Sequence, residues 1–256
     1  MTHCCSTRPR RPLPECRYGL PFKSKPGLVI HLGFSPAKPV RIPPLFNPAD
    51  VRMTSRVNQR TAFGIKILNS HHKDIRRIKR DGHAAEIHGN KFWNSSFLVM
   101  DYLKKNPLKR RARVLEVGCG WGLLGVFCAK RYDARVVGID ADEHVLPFLD
   151  LHAKINKVKI KGRKMSFQQL TVANLKNYDV ILGADICFWN EMTSVLYNLI
   201  SRAKKAGVKQ VVIADPCRQP FTDLVERCKK KYDDIEVVEK WLKHPVHTSG
   251  EILIIR

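Results

Sequence analysis

The chain has 256 residues, of which 44% are hydrophobic, so it is long enough to bury one large α/β core. No apolar run approaches the roughly 18 residues that a membrane span needs, and the first residues lack the apolar segment of a secretory signal. These features argue against a membrane-embedded or secreted protein and predict a soluble, cytoplasmic one.

The net charge of +23 is concentrated in the N-terminal part of the chain. Residues 1–113 carry 24 lysines and arginines against 6 acidic residues, whereas residues 114–256 carry 22 against 17. This excess predicts either a weak contact with a polyanion or a solvated basic face. The eight cysteines form no C-x-x-C pair and have no zinc-ligand spacing, so we predict reduced thiols and no metal site.

The first predicted segment is an extension without regular structure. Residues 1–52 hold ten of the fifteen prolines among scattered basic residues, a composition that predicts disorder. Since ordinary composition begins at Met53, one hypothesis is that translation of the native product starts there. Helical patterns over 69–82 and 94–103 then make 53–112 an N-terminal helical segment, which we expect to pack on the core.

The segment VLEVGCGWGLLG, residues 114–125, joins a buried-strand pattern to four glycines and an apolar helical run. Glycine has no Cβ, and the first N–H groups of a helix lack partners, so a ligand can approach bare backbone here. Asp140 ends the next predicted strand, where a carboxylate can accept two hydrogen bonds from a ribose diol. The combination predicts an adenosine-bearing cofactor, bound by a domain over 113–256.

Two cofactors fit this segment. From Gly120 it matches G-x-G-x-x-G, with Asp140 twenty residues further on, as a dinucleotide site requires. That interpretation places Glu116 inside the strand as a buried carboxylate without a partner, which is costly. A nicotinamide-dependent oxidoreductase is therefore the less favoured alternative, and a non-enzymatic nucleic-acid-binding module is another.

The rest of the chain predicts helices and strands that alternate. They are a helix over 142–156, a basic loop over 157–164, a short strand over 165–170, a strand over 178–189, a helix over 190–206, a strand over 210–216, a helix over 220–231 and strands over 235–242 and 251–255. Ligands of parallel sheets bind at the carboxyl ends of the strands. Asp140 and Asp185 are therefore predicted to share one edge with the glycines.

The chain resembles the class I, seven-β-strand S-adenosylmethionine (SAM) methyltransferases over residues 88–256. The likeness is carried by residues 114–125, by VVGIDAD (136–142), DVILGADICFW (179–189) and VVIADP (211–216), and by the terminal hairpin. Phe92-Trp93 and Gly-Ala-Asp at 183–185 are similar to the protein-lysine-methyltransferase-like branch, whose Asp-x-x-Tyr motif here ends in Phe188. The resemblance implies an α/β fold with a Rossmann-like, doubly wound, mostly parallel seven-stranded sheet and an antiparallel C-terminal strand.

The resemblance also implies a function. SAM would be the cofactor, and a methyl group would pass to an N or O nucleophile of an acceptor, either a protein lysine or a small molecule. The implied cofactor-binding residues are Trp93, Glu116, Gly118, Gly120, Gly122, Asp140, Ala141, Phe167 and Asp185.

Individual roles follow from the same resemblance. Glu116 would orient the methionyl end, Asp140 would hold the ribose hydroxyls, and Phe167 would cover the adenine, with Gln168 or Gln169 near its amino group. Asp185 is the catalytic candidate, as proton acceptor or orienting group. Phe188 and Trp189 either attract a cationic substrate through cation–π contacts or only pack a helix on the sheet.

Overall fold

The structure is a computed structural model that describes residues 58–256, except 84, 86 and 90. The extension predicted for residues 1–52 and the proposed start at Met53 lie outside the described residues. No helix in the described part of the chain is long and apolar enough to cross a membrane.

A short segment of two strands and two helices precedes the main sheet. Strands β1 (Gln59–Ala62) and β2 (Ile65–Leu68) form an antiparallel hairpin, which is followed by helices α1 (Lys73–Arg80) and α2 (Ser95–Lys105). Both helices agree with the predicted positions. The hairpin was not predicted, because strands of four residues are too short to show a clear alternation.

Seven strands form one sheet. In chain order they are β3 (Arg113–Val117), β4 (Arg135–Asp140), β5 (Ile160–Lys164), β6 (Val180–Ala184), β7 (Gln210–Asp215), β8 (Ile235–Leu242) and β9 (Thr248–Ile255). Their order across the sheet is β5-β4-β3-β6-β7-β9-β8, and β9 is antiparallel to both of its neighbours. The predicted seven-stranded, mostly parallel sheet is confirmed.

Helices cover both faces of this sheet. They are α2 and the later helices α3 (Leu123–Tyr132), α4 (Leu146–Asn156), α5 (Val172–Leu175), α6 (Asn190–Lys205) and α7 (Gln219–Lys229). Successive strand residues point to opposite faces, so Val114 joins a core with α2 and α3 while Leu115 joins one with α6 and α7. Two hydrophobic layers therefore hold the strand ends in place.

The strand predicted over 165–170 is wrong. The strand at that edge is β5, which lies in the stretch predicted as a basic loop. Because β5 pairs only with β4 and is mostly exposed, its positions are filled by Lys161, Arg163 and Lys164 rather than by apolar residues. Phe167 instead begins a 3-10 turn, Phe167–Gln169, just beyond the end of β5.

Candidate active site

The glycine turn after β3 leaves backbone open to a ligand. Gly118 and Gly120 have φ values of 62° and 49°, a left-handed conformation that glycine adopts without strain. A Cβ on Gly118 would lie 2.6 Å from Cγ2 of Ile186, whereas a Cβ on Gly120 would have no atom within 4 Å. The turn is therefore packed from below at Gly118 and open at Gly120.

Asp140, the last residue of β4, is joined to this turn. Its Oδ2 accepts a hydrogen bond from the N–H of Gly120 at 2.9 Å, and its Oδ1 accepts one from the N–H of Asp142 at 3.0 Å. A carboxylate has about four acceptor positions, so two are left for a bound ligand. Burial raises the pKa of Asp140, while the backbone N–H groups of Gly120, Asp142 and Ala141 oppose that shift.

Glu116 points to the first turn of α3. Its Oε2 accepts a hydrogen bond from the N–H of Gly125 at 2.9 Å, and a Cβ on Gly125 would lie only 2.6 Å from that oxygen. Burial raises the pKa of Glu116 to about 8, although the N–H groups of α3 counteract the shift. The objection that Glu116 in a strand would be a carboxylate without a partner is therefore wrong, because the free N–H groups of the helix supply one.

Asp185 follows β6 directly and is 4% exposed. Its Oδ2 accepts a hydrogen bond from the N–H of Ser95 at 3.1 Å, and its Oδ1 pairs with Nη2 of Arg218 at 2.9 Å. Nη1 of Arg218 also pairs with the buried carboxylate of Asp215 at 2.7 Å. Asp185 is thus held by α2 and by Arg218, and each of its two carboxylate oxygens already has a partner.

A cavity of about 320 Å³ brings most of the predicted residues together. This volume lies at the lower end of the range of small-molecule sites, roughly 300–1,000 Å³. Seven of the nine predicted cofactor residues line it, namely Trp93, Gly118, Gly120, Asp140, Ala141, Phe167 and Asp185.

Two predicted residues lie outside this cavity. Glu116 borders a smaller void of about 30 Å³, which shares Gly118 and Gly120 with the cavity. Gly122 starts α3 in a left-handed conformation, and a Cβ there would lie 2.6 Å from Cγ of Leu149. Gly122 is thus placed to let α3 approach α4.

Rings of four residues line one side of the cavity, and we call them the aromatic mouth: His88, Trp93, Phe188 and Trp189. The rings of His88 and Phe188 stack with centroids 4.7 Å apart, and Nε1 of Trp93 donates to the carbonyl of His88 at 3.0 Å. Trp189 is 51% exposed. Phe188 and Trp189 therefore line the cavity just before the start of α6.

His88, Ser95 and Arg218 were missed as site residues in the sequence. His88 lies in an irregular segment between two helices, and Ser95 contributes only a backbone N–H, so neither has a signal in the sequence. Arg218 had one, since it closely follows the end of β7, next to the strand that carries Asp185. Asp185 was predicted because ligands of parallel sheets bind at the carboxyl ends of the strands, and the same reasoning applies to Arg218.

Two curated relatives cover part of this chain. A calmodulin-lysine N-methyltransferase of Arabidopsis thaliana is 25% identical over 179 residues, which are 62% of this chain and 57% of that protein. A ubiquinone biosynthesis O-methyltransferase of Hahella chejuensis is 34% identical over 84 residues, which are 33% of this chain and 35% of that protein. The chain thus spans 35% to 57% of the length of these relatives.

A solved structure and a family model extend the comparison. The tRNA (uracil-54, C5)-methyltransferase of Pyrococcus abyssi, in complex with S-adenosyl-L-homocysteine, has a TM-score of 0.52 at 19% identity and covers 77% of this chain and 43% of its own. Identity that low shows a shared fold alone. The family model described as "Lysine methyltransferase" matches residues 71–231, which include the glycine turn, Asp140 and Asp185. By this match over more than half of its length, the chain belongs to the lysine methyltransferase family.

Proposed function

We propose that this chain binds SAM and transfers a methyl group to an amine nitrogen. The observation that carries the proposal is the cavity at the carboxyl edge of the sheet, where Asp140 keeps two acceptor positions beside the open backbone of Gly120. Family membership supports the reaction type, and both curated relatives are methyltransferases. A protein lysine is the first acceptor to test, and a small-molecule amine is the second.

The residues fit this cofactor in four places. Asp140 would accept hydrogen bonds from the ribose hydroxyls, Gly118 and Gly120 would let the cofactor lie close to the backbone, and Phe167 would pack on the adenine beside Gln168. Of the two glutamines, Gln168 lines the cavity, whereas the Oε1 of Gln169 already accepts from the N–H of Ser166 at 2.8 Å, so Gln168 is the better placed. Glu116 faces the methionyl end from the adjoining void. When bound, SAM supplies a methyl group on a sulfonium, whose in-line displacement depends chiefly on positioning.

The acceptor amine enters through the aromatic mouth. Rings attract a cationic amine or sulfonium by about 0.5–2 kcal/mol, and the exposed position of Trp189 places its ring where an incoming chain would pass. Asp185 is fixed by Ser95 and Arg218, and its carboxylate orients the acceptor amine in the cavity. The open side of the cavity leaves water available to take the proton that the amine loses.

Thermal shift with S-adenosylhomocysteine tests the cofactor. At a hundred times its dissociation constant, a ligand stabilises the folded chain by about 2.7 kcal/mol, so the melting temperature should rise. The rise should disappear in Asp140→Ala and persist in Asp150→Ala, which removes an exposed aspartate of α4. A rise with NADH and none with S-adenosylhomocysteine would instead support the oxidoreductase alternative.

Transfer of labelled methyl from SAM into fractionated lysate tests the acceptor. Trp189→Ala should raise the KM for the labelled acceptor and leave S-adenosylhomocysteine affinity unchanged. Trp241→Ala is the matched control, because Trp241 is 58% exposed and does not line the cavity. Equal effects of the two substitutions would contradict the assignment of the mouth.

We also propose a cytoplasmic location and the division into an N-terminal segment, 53–112, and a SAM-binding domain, 113–256. The five cysteines in the described part of the chain are free thiols, which suits a reducing compartment. Immunofluorescence of the tagged protein tests the location, and a signal confined to another compartment would contradict it.

A further inference from the structure

A basic groove lies at the edge of the sheet where the strands begin, opposite to the candidate active site. It is a concavity of about 1110 Å³, and its floor includes Val136 near the start of β4 and Ile160 at the start of β5. Each residue step along a strand rises about 3.3 Å, so the five steps of β4 from Arg135 to Asp140 separate the start of that strand from Asp140 by roughly 17 Å. The groove and the cavity are therefore different sites.

One side of the groove is built by lysines. Lys157 and Lys159 belong to the connection between α4 and β5, Lys161 belongs to β5, and Lys66 belongs to the hairpin β1–β2. All four side chains are exposed. Four positive charges from three elements thus face one concave surface.

The remaining charged residues of the groove are four further cations and one carboxylate. Arg110 and Arg111 precede β3, Lys130 lies in the last turn of α3, and Arg135 starts β4. Asp133 is the single carboxylate among the described lining residues, and it pairs with Arg110 at 3.7 Å.

Elsewhere on the surface some exposed cations have a carboxylate partner, whereas others, such as Lys176 and Lys205, have none among the described residues. Arg113 pairs with Asp179 at 3.0 Å, and Lys229 pairs with Glu226 at 2.9 Å. In the groove, no carboxylate of the described residues pairs with any cation except Arg110. The groove is therefore a concentration of uncompensated positive charge.

Two structural explanations cover only part of this set. Lys130 in the last turn of α3 favours the helix dipole, and lysines on the edge strand β5 discourage pairing with another sheet. Neither explanation applies to Lys66, to Arg111 or to Arg135. A polyanionic ligand would account for all of these charges together.

We infer that the groove binds the phosphate backbone of a nucleic-acid duplex. Cations on both sides of a concave surface can neutralise phosphates and release their counterions, and the chain's net charge of +23 has the sign such a contact needs. No aromatic ring is among the described residues that line the groove, so it lacks the stacking platform of single-strand sites. The contact reads no sequence and leaves the candidate active site free.

Binding of a short fluorescent RNA duplex to the full chain, titrated over a range of salt concentrations, tests the inference. Lys66→Glu/Lys159→Glu/Lys161→Glu should weaken binding on the order of a hundredfold at fixed salt and should lower the slope of log affinity against log salt by about three. Lys176→Glu/Lys205→Glu/Lys230→Glu is the matched control, since it changes three exposed lysines outside the groove by the same charge. Residues 1–57 are identical in both variants, so the difference in slope reports the groove.

The control should keep most of the affinity, and both variants should stay folded and keep the wild-type S-adenosylhomocysteine affinity. The control should melt at a somewhat lower temperature, because its three lysines lie at helix C-termini. Equal weakening by both triple substitutions would overturn the inference, because total charge would then explain it. So would an unchanged slope in the groove variant, or binding of polyglutamate in place of the duplex. Loss of cofactor affinity would concern the proposed function and not the groove.

Discussion

Two carboxyl groups beside the glycine turn, the buried Glu116 and the partly buried Asp140, have backbone N–H groups as partners. The two groups differ in what remains free. Asp140 keeps acceptor positions that face the cavity. Glu116 instead accepts a hydrogen bond from Gly125 in the first turn of α3, and burial raises its pKa to about 8. Near neutral pH, Glu116 is therefore mostly protonated in the folded chain.

Glu116→Gln should change the pH dependence of stability. A folded-state pKa above the unfolded value of 4.5 means that the folded chain holds the extra proton, so this group's stabilisation is full below pH 4.5 and is lost as pH rises to about 8. As pH rises over this window, the free energy of unfolding of wild type should fall relative to that of the variant, by up to about 5 kcal/mol. Urea denaturation across the range measures it.

Glu143→Gln is the control for that experiment. Glu143 is exposed, and Lys164 lowers its pKa, so its contribution to stability changes only below pH 4.5 and its difference from wild type should be small and nearly constant over this window. A constant difference between Glu116→Gln and wild type across the window would contradict the assigned pKa.

Arg218 joins two carboxylates that would otherwise be buried alone. Arg218→Ala leaves Asp185 and Asp215 without their cation, and breaking a buried ion pair costs about 3–5 kcal/mol. Arg113→Ala breaks an ion pair whose arginine is half exposed, so it should cost no more than about 1 kcal/mol. Urea denaturation measures both variants, and equal midpoints would contradict the prediction that the buried ion pairs of Arg218 stabilise the fold more than the pair of Arg113 does.

At the scale of elements, the hairpin β1–β2 is attached to α4 by two polar side chains. The amide of Asn156 exchanges hydrogen bonds with the N–H and the carbonyl of Lys66, both at 2.8 Å. Nε2 of His152 accepts from the N–H of Leu68 at 3.2 Å, so its Nδ1 donates to the carbonyl of Phe148. Burial lowers the pKa of His152 to about 4.

Acid should therefore loosen this attachment. With a folded pKa of about 4 against 6.5 unfolded, the unfolded chain binds the proton more readily, so the stabilisation is complete above pH 6.5 and falls by about 3 kcal/mol as pH drops toward 4. His152→Gln keeps an acceptor for the N–H of Leu68 and cannot titrate. The free energy of unfolding of this variant should therefore lack the fall between pH 6.5 and 4. Parallel stability curves for variant and wild type would contradict the prediction.

How far the sequence predicts an element depends on where its contacts lie. The unit β3–α3–β4 was predicted because its glycines, its apolar run and Asp140 are close together in the chain. The edge strand β5 was not, since partial exposure removes the apolar pattern. The contacts that Asp185 makes with Ser95 and Arg218 join three distant segments, and residue spacing does not show which loops meet.

For the whole molecule, the cavity draws its lining residues from 87–192. A chain that begins at Met53 should therefore fold cooperatively and bind S-adenosylhomocysteine with the affinity of the full chain. Calorimetric titration of both forms measures this, with Asp140→Ala in each as the control for specific binding. Weaker binding by the shorter chain would contradict the proposed domain division.

The contact between Asp185 and Ser95 has a consequence for the order of folding. The carboxylate that completes the first turn of α2 belongs to a residue 90 positions later in the chain. Contacts of such separation form only after a long loop has closed, so the start of α2 should become ordered late, once β6 and β7 lie side by side. Interactions absent from the transition state act mainly on the unfolding rate, so this contact sets how long the folded chain persists more than how quickly it forms.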